Sequence, residues 1–167
     1  MRYYYDTEFI EDGKTIDLIS IGIVAEDGRE FYAINTEFNP KKASQWVKDN
    51  VLTHLPKRDV TDLDSPNIRG KSLAWMPHRL IRDKLLYFIG TDKPEFWAYY
   101  ADYDHVALCQ LFGTMMDLPD RWPMYTKDVK QLCDSMGNPA LPGQGKNEHN
   151  ALADARWTKQ AYEFLTK

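Results

Sequence analysis

Cysteine is scarce in this chain. Only Cys109 and Cys133 occur in 167 residues, and they form no C-x-x-C or zinc-ligand spacing. That argues against a disulfide framework or a structural zinc. Each cysteine falls in an apolar pattern of helical period, which predicts reduced thiols packed in a core. No apolar run reaches the roughly 20 residues that span a bilayer, and the N-terminus has no basic segment followed by an apolar one, so neither a membrane span nor a secretory leader is expected. The reading is a soluble, cytoplasmic protein with no membrane partner. Basic residues are in deficit as well: 21 Lys and Arg face 25 Asp and Glu, for a formal net charge of -4. Such a balance argues against a protein that coats nucleic acid through counterion release, but leaves open one that grips a single strand end. Internal repeats and long linkers are also lacking, so residues 1–167 are read as one domain, long enough to bury about 70% of the unfolded surface without a staple.

What the chain does have is an acidic pair inside a strand. Met1 to Phe9 reads Met-Arg-Tyr-Tyr-Tyr-Asp-Thr-Glu-Phe, rich in sheet-forming residues. Side chains alternate across a strand, so Asp6 and Glu8 share one face. Two carboxylates so close repel each other unless a cation lies between them, which makes the pair a candidate magnesium or manganese site. Chance alone supplies about four acidic pairs of this spacing in such a composition. The strand context raises this one above them. Thr7 and Phe9 flank the pair and are the substrate-binding candidates, with Phe9 read either as a stacking platform for a base or as a core residue.

Turn signals at Glu11–Lys14 and Glu26–Gly28 separate this strand from Ile16–Ala25 and Arg29–Glu37, which predicts three antiparallel strands in a meander. Asn39-Pro40 reads as the cap of a first helix running to about Leu55, and Pro56–Lys71 as a surface loop placed to act as a lid. A second helix is expected from near Met76 to Gly90, a buried strand over Pro94–Tyr100, and a short helix over Tyr103–Phe112. Beyond the loop Met116–Pro123 come a short last strand at Met124–Thr126 and a helix from Asp128 to Met136. A Gly/Pro-rich, mobile stretch over Asn138–Lys146 then precedes a final helix from His149 to about Thr166. Trp97 in its strand and Trp46 on its helix read as core residues. Hairpin strands followed by alternating helices and strands predict an α/β fold: a mixed sheet, its later strands parallel, flanked by helices.

Two further acidic elements fall where ligands gather in such sheets, near the carboxyl ends of strands. The first is Ala101-Asp102-Tyr103-Asp104-His105 at a strand-to-helix junction, where Asp102 suits a helix cap and Asp104 can point back toward the strand. The second is His149-Asn150-Ala151-Leu152-Ala153-Asp154. A separation of five does not put His149 and Asp154 on one helical face, but both reach one site if His149 lies on the preceding loop or first turn. Asp154 would then hold metal from a rigid helix while His149 handles a proton.

In order and spacing, Asp6-Thr7-Glu8, the Asp102–His105 junction and His149–Asp154 resemble the three motifs of the DEDDh 3′-5′ exonucleases, members of the DEDD superfamily with a ribonuclease H-like fold. Tyr5–Gly13 and Tyr103–Leu108 are similar to the small stand-alone exoribonucleases of mycobacteria, and the likeness covers nearly the whole chain. The resemblance implies that Asp6, Glu8, Asp104 and Asp154 bind two divalent ions, Mg2+ or Mn2+, with His149 as general base. It also implies hydrolysis of single-stranded RNA from its 3′ end to nucleoside 5′-monophosphates, and a homodimer. Asp102 stands where many members of the family have a neutral residue, so a second carboxylate is available to assist or replace Asp104. The alternatives are a DNA-directed 3′-5′ exonuclease and a catalytically silent nucleic-acid-binding module of the same fold.

Overall fold

The protein is described by a computed structural model covering residues 1–57, 73–145 and 148–167. Among the described residues six strands form one sheet, β1 (Arg2–Glu11), β2 (Ile16–Ala25), β3 (Glu30–Asn35), β4 (Leu73–Met76), β5 (Glu95–Ala98) and β6 (Lys127–Asp128), in the order β4-β3-β2-β1-β5-β6. β1, β2 and β3 pair antiparallel, whereas β5 runs parallel to β1, β6 to β5 and β4 to β3. Five helices flank the sheet among the described residues: α1 (Gln45–Asn50), α2 (His78–Ile89), α3 (Asp102–Gln110), α4 (Val129–Ser135) and α5 (Ala151–Leu165). This is the mixed α/β sheet of a ribonuclease H-like fold, as the pattern of elements predicted.

The run Tyr3-Tyr4-Tyr5 explains how β1 comes to be covered on both sides. Tyr3 and Tyr5 enter a core with Ile81 and Leu85 of α2 and Leu108 of α3. Tyr4, pointing the other way, packs with Trp97, Val129 and Tyr162, on the side that α4 and α5 cover. Continuing the alternation puts Asp6 and Glu8 on the α5 side and Thr7 on the α3 side. The β1–β2 register slips between Glu8 and Phe9, a bulge directly after the acidic pair. Both cysteines are free and buried, as expected.

Several expected boundaries move. The single first helix is three pieces: a 3-10 turn at Pro40–Lys42, α1, and a second 3-10 turn at Leu52–His54. Two caps in quick succession account for the break, Asn39 accepting from the Lys41 N–H and Ser44 from the Val47 N–H. β4 was not foreseen; four residues carry too short a pattern, and its place comes from pairing with β3. The helix expected from near Met76 therefore begins at His78 and ends, as expected, at Gly90, in the left-handed half of backbone space at φ 66°. The last strand lies at Lys127–Asp128 rather than Met124–Thr126. Most of the segment expected to be a lid falls on residues 58–72, outside the described residues, as does Lys146 of the later Gly/Pro-rich stretch.

Candidate active site

The carboxylates are delivered by three elements. β1 presents Asp6 and Glu8. α3 presents Asp104 from its first turn, where Asp104 is 5% exposed while Asp102 faces solvent. The cap position belongs to Ala101, not to Asp102 as expected, because the chain already turns helical at Ala101. α5 presents Asp154, and its approach depends on Gly22, the β2 partner of Asp6. A Cβ on Gly22 would lie 2.3 Å from the backbone of Ala151 and Leu152, so only glycine lets the first turn of α5 rest on the sheet there.

Asp6, Glu8 and Asp154 converge: one carboxylate oxygen from each lies within 4.8 Å of the others. Asp104 stands outside that triangle, its Oδ1 accepting from the Thr7 N–H at 2.8 Å and the Thr7 hydroxyl at 2.6 Å. All four line one cleft of about 570 Å³, together with Thr7, Phe9, Trp46, Tyr100 and His149. His149 sits on the loop just ahead of the helix cap Asn150, at φ 66°. Its backbone N–H donates to Asp154 Oδ2 at 2.9 Å, and Gln144 Nε2 donates to Asp154 Oδ1 at 3.1 Å. Asp154 thus lies on the helix and His149 on the loop at its leading edge, close enough for both to face one site.

Electrostatics make the cluster unstable as four bare anions. Burial, then the neighbouring Asp104, Glu8 and Asp154, push Asp6 well above the usual carboxylate range. Burial and then Asp154 and Asp104 push Glu8 up to about 8. Burial carries Asp104 to about 7 against the lowering effect of its two bonds from Thr7. Asp154 is raised by burial and drawn back by the His149 N–H. Acid oxygens that crowd along one cleft are a hard-cation donor set, so the residues fit a divalent metal.

The aromatic lining corrects one expectation. Trp97 is a core residue, packed at a tilt against Tyr162 at 4.5 Å, but Trp46 is 53% exposed and meets the His149 ring edge-on at 4.7 Å. Phe9 is half-buried in the cleft wall, edge-on to Tyr103 at 5.6 Å.

A family profile described as the 3′-5′ exoribonuclease Rv2179c-like domain matches residues 1–166. The chain belongs to this family. Among its relatives are 3′-5′ exoribonuclease Rv2179c of Mycobacterium tuberculosis strain ATCC 25618 / H37Rv and 3′-5′ exoribonuclease MT2234.1 of strain CDC 1551 / Oshkosh. Each is 46% identical over 169 residues, covering 99% of this chain and 94% of the relative. Membership in the Rv2179c-like family agrees with the DEDDh resemblance and with the ribonuclease H-like sheet.

Proposed function

We propose that this protein is a metal-dependent 3′-5′ exoribonuclease that releases nucleoside 5′-monophosphates from the 3′ ends of single-stranded RNA. The observation that carries the proposal is the meeting of Asp6, Glu8 and Asp154 within 4.8 Å in a cleft that also holds Asp104 and His149. Asp6, Glu8, Asp104 and Asp154 would hold two divalent ions, Mg2+ or Mn2+, which would supply activation of a water and neutralisation of the charge that builds on the phosphate.

The chain's own residues do the rest. Thr7 fixes Asp104 through two hydrogen bonds, so that its free oxygen faces the cleft rather than rotating. His149 in its neutral form accepts the proton of the attacking water, and the edge of Trp46 restrains its ring. Asp154 holds the His149 backbone in its left-handed turn. Phe9, one residue past Glu8, gives the terminal base a surface to stack on. In this reading residues 1–167 form one exonuclease domain, working in the cytoplasm as a homodimer, a state that light scattering reads directly.

Digestion of 5′-labelled RNA and matched DNA strands, with Mg2+, Mn2+ or chelator, tests the proposal. Wild type is expected to give a metal-dependent ladder shortening RNA from its 3′ end, and His149→Ala to lose at least about a hundredfold in rate, the scale of a general base. Preference for the DNA strand would make it a DNA exonuclease. No cleavage of either strand with either metal would leave a binding module.

A further inference from the structure

Tyr100 is an anomaly at the rim of the cleft. Its backbone has φ 58°, a region that bulky residues rarely adopt, and its ring is 64% exposed. Glycine or asparagine would hold this turn at less cost, and so exposed a ring contributes little to a core. The backbone does not call for an aromatic there.

The surroundings nevertheless fix the conformation. Asp128 Oδ2 accepts from the N–H of Ala101, the very next residue, at 3.0 Å, while Asp128 Oδ1 caps α4 through the N–H groups of Lys130 and Gln131. One carboxylate thus ties the turn after β5 to the start of another helix. The ring is propped in the same way. Trp157 on α5 meets Tyr99 edge-on at 4.9 Å, and Tyr99 meets Tyr100 at 4.6 Å, an aromatic chain leading from the helix that bears Asp154 to the cleft rim. A strained residue that its neighbours over-determine marks a functional position.

A phosphodiester under hydrolysis carries a nucleoside on each side, and so two bases need support. Phe9 directly follows Glu8 on β1 and takes one. Tyr100 lines the same cleft from the turn between β5, the parallel neighbour of β1, and the helix that carries Asp104. We propose that Tyr100 is a second stacking platform, taking the base of the nucleotide that precedes the one being removed. The inference rests on the exoribonuclease reading and adds a binding position to it. Stacking also suits a protein of net charge -4, because it needs no cationic groove.

The test pairs a variant with a modified substrate. Removal of the terminal nucleotide is timed for wild type and Tyr100→Gly on a 5′-labelled oligoribonucleotide and on the same strand lacking the base of the preceding nucleotide. Losing one stacking contact is expected to raise KM about tenfold, either by the variant or by the abasic strand. The two together should cost no more than one alone, and Tyr100→Phe, which keeps the ring, should restore the wild-type KM. The variant's melting temperature should equal or exceed that of wild type, and Tyr100→Asn, also at ease in a left-handed turn, serves if Tyr100→Gly folds poorly. An unchanged KM for the ring-less variant on the intact strand, or penalties that multiply, overturns the proposal. If wild type itself does not shorten the intact strand, the exoribonuclease reading has failed, and this inference with it.

Discussion

Asp6 is held among like charges, and that arrangement has a stability consequence separate from catalysis. Burial and three neighbouring carboxylates oppose its ionisation, so in metal-free protein the site strains the fold at neutral pH. Asp6→Asn removes one charge without changing shape. In chelator, the variant should melt about 2–4 °C above wild type, the shift expected for about 1 kcal/mol in a chain of this size, while its turnover is lost. Scanning calorimetry with a matched activity assay reads both. The pH dependence follows from the same groups. Glu8 and Asp104 titrate near 8 and 7 in the folded chain, above their unfolded values near 4, so between these limits the folded state binds more protons than the unfolded. Metal-free protein is therefore most stable below about pH 4 as far as these groups are concerned. It loses that contribution as pH rises to about 8. Melting scans in chelator should show the decline, and saturating Mg2+ or Mn2+ should oppose it most at the alkaline end. A melting temperature that rises over this range in chelator would show that the acids are not crowded.

At the scale of elements, the site depends on how α5 docks. Gly22→Ala puts a methyl 2.3 Å from the backbone of Ala151 and Leu152, where no side chain can swing aside, so the helix must move. Overpacking of this kind costs about 1–3 kcal/mol. A displacement of about 1 Å at Asp154 and His149 should lower kcat about a hundredfold. Both are measurable at a temperature where the variant remains folded, and wild-type kcat in a destabilised variant would mean that α5 keeps its seat. This glycine was legible in principle: alone in the run Ile21-Gly22-Ile23, it carries the signal of a close backbone approach. The antiparallel meander, the strand at Trp97, the final helix and the carboxylates themselves could be read from local pattern, since acids in an aromatic strand are conspicuous. What could not be read is contact across distance. Thr7 bonds to Asp104 over 97 positions, and Trp46, apolar on a helix, turns outward to His149 rather than inward. β4 was lost for a related reason, since pairing with β3 and not composition makes it a strand.

Taken whole, the molecule is acidic, and an acidic protein that acts on a polyanion must bind it locally. Net charge of -4 opposes approach of RNA, and the cleft's own carboxylates add to the repulsion until cations neutralise them. On the proposed reading, binding comes from the terminal phosphate at the carboxylate cluster and from aromatic surfaces of the cleft such as Phe9, not from a basic track along the strand. Counterion release gives this a measurable form. For single strands the slope of log affinity against log salt is about −0.7 per phosphate contact, so two contacts predict a loss of about sevenfold between 50 and 200 mM salt. A protein with six or more contacts would lose more than about 300-fold over that range. With free Mg2+ fixed, KM for an oligoribonucleotide should therefore rise by less than about tenfold as monovalent salt increases across this range, and lengthening the strand at its 5′ end should leave the slope unchanged. A slope that steepens with strand length would instead reveal an extended cationic path, which the net charge of the chain argues against.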